Sequence, residues 1–386
     1  MWLSRIGMWY QVKVMLLWSG NKWIMTEVLK IRNILYLGFA LLLAGCSGDD
    51  ITAGGSLEDE GFDPVGKPVL FSVGLEAQAT TRTASNMDDG RFVCTMYYHS
   101  KTTDTDESDY DLSTSLISTA WLKVSGGDGN VVYKNSSFND AGTPFYWKNR
   151  LKHAFLAIAD NNNLTSTTAQ PIYNSSNADY TNEYNLTRGE LTSIEGQPDP
   201  ILALTVTNPA GAPVNAETIE ANRVTLNFKH QFSLIQVNVK AADTSVSLAA
   251  GQIEKVELLG VTTEGYVYTK LNENGTVNPA SFKEEASDNA FEMFSITAAT
   301  DYVSSCNAIA FGKLCAIRVT WHEAVATEIK HTPTYTLSGE GLTLESGKRY
   351  VYNLSLSRSG LSVINASVAN WEQKAELVYD VNGTAN

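Results

Sequence analysis

One cysteine near the amino terminus stands where its thiol can be acylated. Cys46 follows residues 43–45 (LAG) and ends an uncharged apolar run, residues 34–44 (ILYLGFALLLA), that Lys30 and Arg32 precede. A basic region, an apolar core and small residues before the cut are the parts of a secretory signal peptide. The run is too short to span a bilayer, which takes about 20 apolar residues. The pattern predicts export, cleavage before Cys46 and lipidation of its thiol; an ordinary cleavage site with a chance cysteine is the alternative.

The other reactive side chains lack the spacing that catalysis or metal binding needs. His322-Glu323 begins like a His-Glu-x-x-His zinc helix, but residue 326 is alanine and His331 lies nine positions after His322. Two histidines must be four residues apart to share one helix face. The acidic stretch 104–111 (DTDESDYD) lacks the glycine and the final glutamate of a calcium loop. We therefore predict no catalytic residue, no metal and no cofactor.

Charge and cysteine content narrow the class of protein further. The 386-residue chain has a net charge of −14, and loss of residues 1–45, with five Lys or Arg and one Glu, makes it −18. Nucleic-acid binding depends on basic side chains that neutralise phosphates, so no nucleic-acid partner is expected. After lipidation of Cys46 three cysteines remain, and Cys306 and Cys315 either pair across a hairpin or stay as buried thiols.

The elements that must carry these residues are β-strands. Most segments are short β-rich runs or alternate apolar and polar residues, the period of a strand, and turn-forming Gly, Asn, Asp, Ser and Thr separate them. This favours an all-β fold of two β-sandwich-like domains in tandem, Greek-key or transthyretin-like, with few short helices. Helices are expected at residues 246–250 and 279–286, and a long polar loop at 161–197. Strands are predicted at residues 69–75, 92–98, 120–124, 154–159, 201–206, 224–240, 253–261, 315–321, 350–356, 361–368 and 375–381.

Four motifs follow one another along the mature chain. They are residues 80–84 (TTRTA), the aromatic turn 144–147 (PFYW) with the strand after it, 226–234 (LNFKHQFSL), and 344–354 (LESGKRYVYNL) with Trp371 close behind. Their order and spacing, together with the lipobox, resemble the fimbrillin family, the type V pilins and related adhesins of Bacteroidales. The resemblance implies a lipidated precursor whose first strand is removed by an arginine-specific protease. A strand of a neighbouring subunit then fills the groove by β-strand addition.

On this resemblance Arg82 is the processing site and Thr83 the new amino terminus. Arg82 follows the first predicted strand and lies in a polar stretch, residues 76–86, that a protease can reach. Arg91 competes but abuts a strand, and the alternative for Arg82 is a solvated loop residue that is never cut. The expected organisation is a signal peptide at 1–45 with Met25 as the true start, a lipidated tether with the removable strand at 46–82, and β domains at 83–215 and 216–386.

The resemblance also gives the carboxy-terminal segment a role. Leu377, Tyr379 and Val381 alternate with Glu376, Val378 and Asp380, which marks residues 375–381 as a candidate donor strand. The alternative is an ordinary edge strand of the second domain.

The sequence therefore predicts a non-enzymatic fimbrial subunit or fimbria-associated adhesin. Its expected partners are other pilin subunits, an arginine-specific surface protease, the outer membrane through the lipid, and a surface receptor that the sequence does not name. The expected location is the cell surface, and the fimbria after processing. One rival is a glycan-binding lipoprotein that uses exposed aromatic rings; the candidates are Tyr97, Tyr98, Trp121, Tyr146 and Trp147. A second rival is an envelope glycosidase with two carboxylates about 5–10 Å apart.

Overall fold

The structure is a computed structural model that describes residues 63–75, 89–99, 116–125, 130–166, 181–209, 222–242, 248–249, 251–323, 329–357 and 360–371. This part of the chain is almost entirely β, as the sequence predicts, with two short 3-10 helices at Asn161–Asn163 and Ile194–Gly196. None of its helices is long and apolar enough to cross a membrane. The strands are β1 Phe71–Leu75, β2 Arg91–Tyr98, β3 Leu116–Ser125, β4 Asn130–Lys134, β5 His153–Asp160, β6 Thr181–Asn185, β7 Pro200–Thr207, β8 Val224–His230, β9 Ser233–Ala241, β10 Ile253–Val261, β11 Glu264–Tyr268, β12 Ser281–Phe282, β13 Ala290–Glu292, β14 Phe294–Ile296, β15 Ser304–Ala310, β16 Gly312–His322, β17 Lys330–His331, β18 Thr334–Thr336, β19 Leu342–Thr343, β20 Lys348–Ser357 and β21 Gly360–Asn370.

Seven strands of the first half close into a barrel in the order β1-β4-β3-β2-β5-β7-β8. All the neighbouring pairs are antiparallel except β1 and β8, which run parallel. Alternate residues of each strand point inward, as the pleat requires. Inside the barrel lies one apolar core, to which Phe92, Leu122, Phe155 and Phe228 contribute.

Strand β5 (HAFLAIAD) lies between two cores and is buried along its whole length. Phe155, Ala157 and Ala159 face the barrel interior. The residues between them, Ala154, Leu156 and Ile158, belong to the core of the second half. A strand that is covered on both faces needs apolar residues at successive positions and not only at alternate ones. This explains why β5 is a continuous apolar run.

The second half is built around two further sheets that share one core. The first has the order β14-β15-β9-β20-β21, and the second has the order β13-β10-β16-β17, with β18 and β19 also paired to β16. Val237 and Leu354 from the first sheet and Val256 and Ile317 from the second are buried in the same cluster. Facing sheets around a common apolar layer are the arrangement of a β-sandwich.

Three local predictions were wrong. The run 224–240 is two strands, β8 in the barrel and β9 in the second half, because the chain bends at residues 231–232 while the alternation continues. Residues 279–286 are not a helix but contain β12, whose Phe282 packs on Phe311 with ring centroids 5.6 Å apart. The polar stretch 161–197 is not simply a loop, since β6 within it pairs with β11 of the second half. Of the other expected helix, only residues 248–249 are described, and they form no helix.

Candidate functional site

The first segment, residues 63–75, contains β1 and closes the barrel. β1 pairs with β8 over five residues, from Phe71 opposite Val224 to Leu75 opposite Phe228. Its other neighbour is β4, to which it is joined at the single pair Ser72 and Asn130. The predicted first strand, which we call the wedge (residues 69–75), therefore lies between the two barrel strands β4 and β8. Its loss would leave the edges of β4 and β8 unpaired and facing each other.

Alternate side chains of the first segment fill the barrel core. Val69, Phe71 and Val73 are 0%, 1% and 7% exposed. Phe71 lies among three rings, which we call the aromatic cage: Tyr133, Phe145 and Phe155, with centroids 6.1, 6.2 and 5.4 Å from that of Phe71. Tilted and edge-to-face pairs at these distances are favourable. Phe71 is thus the anchor of the segment.

Side chains of the neighbouring strands also hold the backbone of the first segment. The Tyr133 hydroxyl donates to the carbonyl oxygen of Val69 at 2.7 Å. Arg223 Nη1 donates to the carbonyl oxygen of Phe71, also at 2.7 Å. These donors bind carbonyl groups, which every sequence has, so they would hold any strand placed in this position.

Replacing Tyr133 with phenylalanine is expected to lower the free energy of unfolding by about 0.5–1.5 kcal/mol, the net value of one such hydrogen bond. The ring stays in the aromatic cage, and only the bond to the carbonyl of Val69 is lost. Chemical denaturation of the lipid-free precursor measures the change. A loss above about 3 kcal/mol would show that the hydroxyl does more than bind this carbonyl.

The amino-terminal part of the first segment pairs with the aromatic turn at residues 145–147. Gly66 N donates to the carbonyl of Trp147 at 2.8 Å, and Val69 N donates to the carbonyl of Phe145 at 2.9 Å. The motif PFYW thus supplies both a pairing edge and two core rings. Trp147 is 2% exposed, and its Nε1 donor has no hydrogen-bond partner among the described residues.

His153 lies beside this turn as a buried neutral ring. Its Nδ1 lies 2.8 Å from the carbonyl oxygen of Leu151, while Nε2 accepts the backbone N–H of Lys148 at 3.2 Å. The proton therefore sits on Nδ1. Burial lowers the pKa of His153 to about 4, because a second ring proton would carry charge into the core and face the Lys148 N–H.

Acid is therefore expected to destabilise the barrel through His153. The folded-state pKa of about 4 lies below the ordinary value of 6.5, so the stabilising effect of a neutral His153 is complete above pH 6.5 and is lost as the pH falls towards 4. Denaturation midpoints measured from pH 7.5 to 4 should fall across this window. In His153→Gln, which cannot titrate, the fall should be smaller; an unchanged profile would contradict the assignment.

A buried polar cluster joins the end of β8 to the end of the described chain. His230 Nδ1 and Asp199 Oδ1 are 2.8 Å apart. The Trp371 ring stacks on His230 with centroids 3.8 Å apart and planes inclined by 11°, and Trp371 N donates to the carbonyl of Gly347 at 2.7 Å. The chain beyond residue 371 therefore starts beside the end of β8, next to where β1 ends.

Sequence reasoning missed this cluster. His230 and Trp371 each stand in a recognised motif, but nothing local links them to Asp199, which lies 31 residues before His230. Asp199 also accepts a hydrogen bond from Asn161 Nδ2 at 2.9 Å, and its backbone N–H donates to Asp160. Burial raises the pKa of Asp160. Both carboxylates are buried and engaged in hydrogen bonds, unlike the open pair that a glycosidase needs.

The predicted processing, lipidation and donor residues lie outside the described residues. They are Cys46, Arg82, Thr83, Leu377, Tyr379 and Val381. The competing Arg91 is the first residue of β2, where its guanidinium donates to the carbonyl of Thr165 and lies 5.6 Å from the Phe138 ring centroid. That side chain is half-buried, and which of the two arginines is the protease site stays a prediction.

Burial and distance decide the outcome for the remaining candidates, which are the cysteine pair, the histidine segment and the exposed aromatic rings. Cys94, Cys306 and Cys315 are all free, so the cross-hairpin disulfide is not formed. His322, Glu323 and His331 make no metal site, since no three His, Cys, Asp or Glu of the described residues are close enough to hold an ion. Of the rings proposed to stack on sugars, Tyr97 and Trp147 are buried at 1% and 2% exposure, whereas Tyr146 is 40% exposed. They cannot form a single exposed platform.

The fold and the site describe an all-β protein whose first strand closes a barrel by pairing with β4 and β8. A fimbrillin-like family model matches residues 80–371, more than half of the chain. The chain belongs to this fimbrillin-like family. Membership indicates a structural fimbrial or adhesion protein of the cell surface rather than an enzyme. A comparison with curated proteins returns no match.

Several solved structures are similar to this chain at low sequence identity. A candidate cell adhesion protein from Bacteroides ovatus is 14% identical, with a TM-score of 0.50 over 80% of this chain and 99% of that one. A fimbrial protein from Bacteroides vulgatus is 12% identical, with a TM-score of 0.42 over 79% and 99%. The tip fimbrial protein Mfa3 from Porphyromonas gingivalis, with a carboxy-terminal truncation, is 12% identical, with a TM-score of 0.41 over 78% and 99%. The first of these supports the common fold.

Proposed function

We propose that this chain is a fimbrial subunit that assembles with other subunits by strand addition after its first strand is cut away. One observation carries the proposal: the first segment is a single wedge between β4 and β8, and it supplies the barrel core with Val69, Phe71 and Val73. A wedge that leaves after one cut exposes two strand edges and an apolar groove. An incoming strand recovers the backbone hydrogen bonds and refills the core.

Two further features give the proposal its order of events. The lipid on Cys46 tethers the precursor to the outer membrane, and cleavage after Arg82 frees residues 83–386 from that tether. Arg82 follows β1 and precedes β2 in the sequence, so a cut there separates the wedge from the rest of the barrel. An unpaired strand edge invites aggregation, so a wedge that stays in place until export protects the subunit.

Protease treatment of the purified precursor tests this function. A lipid-free Cys46→Ser form is incubated with an arginine-specific protease, and its size is followed by gel electrophoresis and light scattering. The expected result is a product that starts at Thr83 and then forms a ladder of multimers. A chain that is cut and stays monomeric under all protein concentrations would overturn the polymerising role.

A further inference from the structure

Strand β21 leaves one edge of its sheet open. It is the last strand in the order β14-β15-β9-β20-β21, and among the described residues it pairs only with β20. β21 is 11 residues long, whereas β13, β14, β17, β18 and β19, the other strands at the edges of the two facing sheets, have two or three. Proteins usually keep exposed edges short or charged, because an open edge pairs with other chains. β21 is long and has no charged residue and no proline.

The last part of this edge, residues 365–370, is regular. Asn353 and Leu354 of β20 pair with Asn365 and Val363, which leaves the intervening position 364 as a bulge. From position 365 to the end of the strand the pairing with β20 is uninterrupted. An added strand must match one alternation of side chains, and this stretch offers it.

An apolar side chain is exposed on the core side of the same stretch. Val368 lies opposite Tyr350 of β20, and Ala366 lies opposite Tyr352. Both tyrosines are buried, whereas Val368 is 57% exposed and Ala366 is exposed too. The side of the sheet that is covered over β20 is therefore open at β21, next to the unpaired backbone edge.

The charge distribution favours contact between two copies at this edge. The chain has 42 Asp and Glu and a net charge of −14, so two copies repel each other over most of their surfaces. The hairpin of β20 and β21, residues 348–370, has no Asp or Glu and three basic residues. Two copies can meet along this hairpin without bringing carboxylates together.

We propose that residues 365–369 pair antiparallel with the same residues of a second copy, about a two-fold axis at Ser367. The stretch fits a second copy because it complements itself. In this register Val368 of each copy lies opposite Ala366 of the other, so a large side chain meets a small one. The two Ser367 hydroxyls meet on the outer face, and the two five-stranded sheets become one. Two-fold contacts are the commonest kind between identical chains.

The backbone groups of β21 point in the directions that this register needs. Trp371 N donates to the carbonyl of Gly347 at 2.7 Å, on the β20 side. Successive strand residues direct their N–H and C=O groups to opposite sides, so those of Ser367 point to β20 and those of Ala366 and Val368 point to the open edge. Ala366 of one copy and Val368 of the other then exchange two backbone hydrogen bonds on each side of the axis. Ser367 faces its counterpart in a pair without such bonds, with Cα atoms about 4.5 Å apart.

The contact is small and needs no cleavage. About five residues of each copy take part, so the buried area falls below the roughly 1,200 Å² at which standard interfaces begin. The uncut precursor is therefore monomeric in dilute solution, and copies associate only at high protein concentration. The contact goes beyond the proposed function, because it does not use the first segment. Along a filament, which that function supplies, the contact repeats and joins filaments side by side.

Disulfide trapping with one new cysteine tests the two-fold axis. Ser367→Cys is made in the lipid-free Cys46→Ser precursor and oxidised over a series of protein concentrations, with no protease present. A residue on the axis faces its own counterpart, and Cα atoms about 4.5 Å apart allow a disulfide. We expect a reductant-sensitive covalent dimer whose yield rises with protein concentration.

Ser362→Cys is the matched control, since residue 362 is exposed on the same face of the same strand. In the proposed register its two copies are ten strand positions apart, about 34 Å. It should give no more dimer than the parent, in which Cys94, Cys306 and Cys315 set the background. Equal yields from Ser362→Cys and Ser367→Cys, or no dimer from Ser367→Cys, would overturn the proposal.

A charge on the edge tests the same contact without a disulfide. Val368→Lys brings two ammonium groups close together across the axis, so sedimentation equilibrium should show association at least about tenfold weaker than that of the parent. Val206→Lys makes the same change at a 43% exposed position of β7 and should associate like the parent. Equal weakening by both variants, or by neither, would overturn the contact. Because no protease is used, the proposed function stands or falls separately, by the cleavage experiment.

Discussion

Arg82→Ala is expected to leave the precursor intact in the presence of an arginine-specific protease and to keep it monomeric. The lipid-free precursor and this variant are incubated side by side, and the new amino terminus is read by sequencing or mass spectrometry. The native chain should yield Thr83 as its first residue. Because the wedge stays covalently attached in the variant, the groove between β4 and β8 is not released and no ladder should form.

Two matched variants show whether the effect belongs to the cut itself. Arg82→Lys keeps the charge and should also resist the protease, since the specificity is for arginine. Arg91→Lys alters the competing site in β2 and should be cut like the native chain. If Arg82→Ala were still processed at the same rate and Arg91→Lys were not, Arg91 would be the true site.

Phe71→Ala is expected to destabilise the precursor by about 3–5 kcal/mol, the usual cost of deleting a buried aromatic ring. The ring is 1% exposed, and the rings of the aromatic cage would be left around a void. That loss is a large fraction of the roughly 5–15 kcal/mol by which a domain is stable. Urea denaturation followed by tryptophan fluorescence measures it, since Trp147 lies in the same core.

Ser72→Ala is the matched control, because Ser72 is half-buried outside the barrel core and its hydroxyl forms a hydrogen bond with the exposed Thr225. The effect of Ser72→Ala on the free energy of unfolding should be within about 0.5 kcal/mol, as for most surface substitutions.

Phe71→Ala and Ser72→Ala also differ in their expected rates of assembly. After cleavage the weakly held Phe71→Ala wedge should leave faster, so multimers should form sooner than with Ser72→Ala. Similar stability and similar rates in the two variants would contradict the anchoring role of Phe71.

The sequence predicts the apolar face of the first segment, but it does not predict which residues that face contacts. Alternation in residues 69–75 shows that Val69, Phe71 and Val73 share one face of a strand. It does not show that Phe71 meets Phe155, 84 residues away in the chain, or that β1 runs parallel to β8. The sequence places Phe145 of the aromatic cage in an aromatic turn. Only the backbone hydrogen bonds of the structure show that this turn pairs with the first segment.

The sequence by itself determined the all-β class, the position of most long strands and the family resemblance, because alternation and turn residues are local properties. Tertiary structure decided which core each face enters. Strand β5 serves two cores, the run 224–240 divides between two sheets, and β6 joins the second half. It also decided that Asp199, His230 and Trp371 meet. Strand pairing depends on burial between segments far apart in the chain, and a pattern with a period of two is the same for every partner.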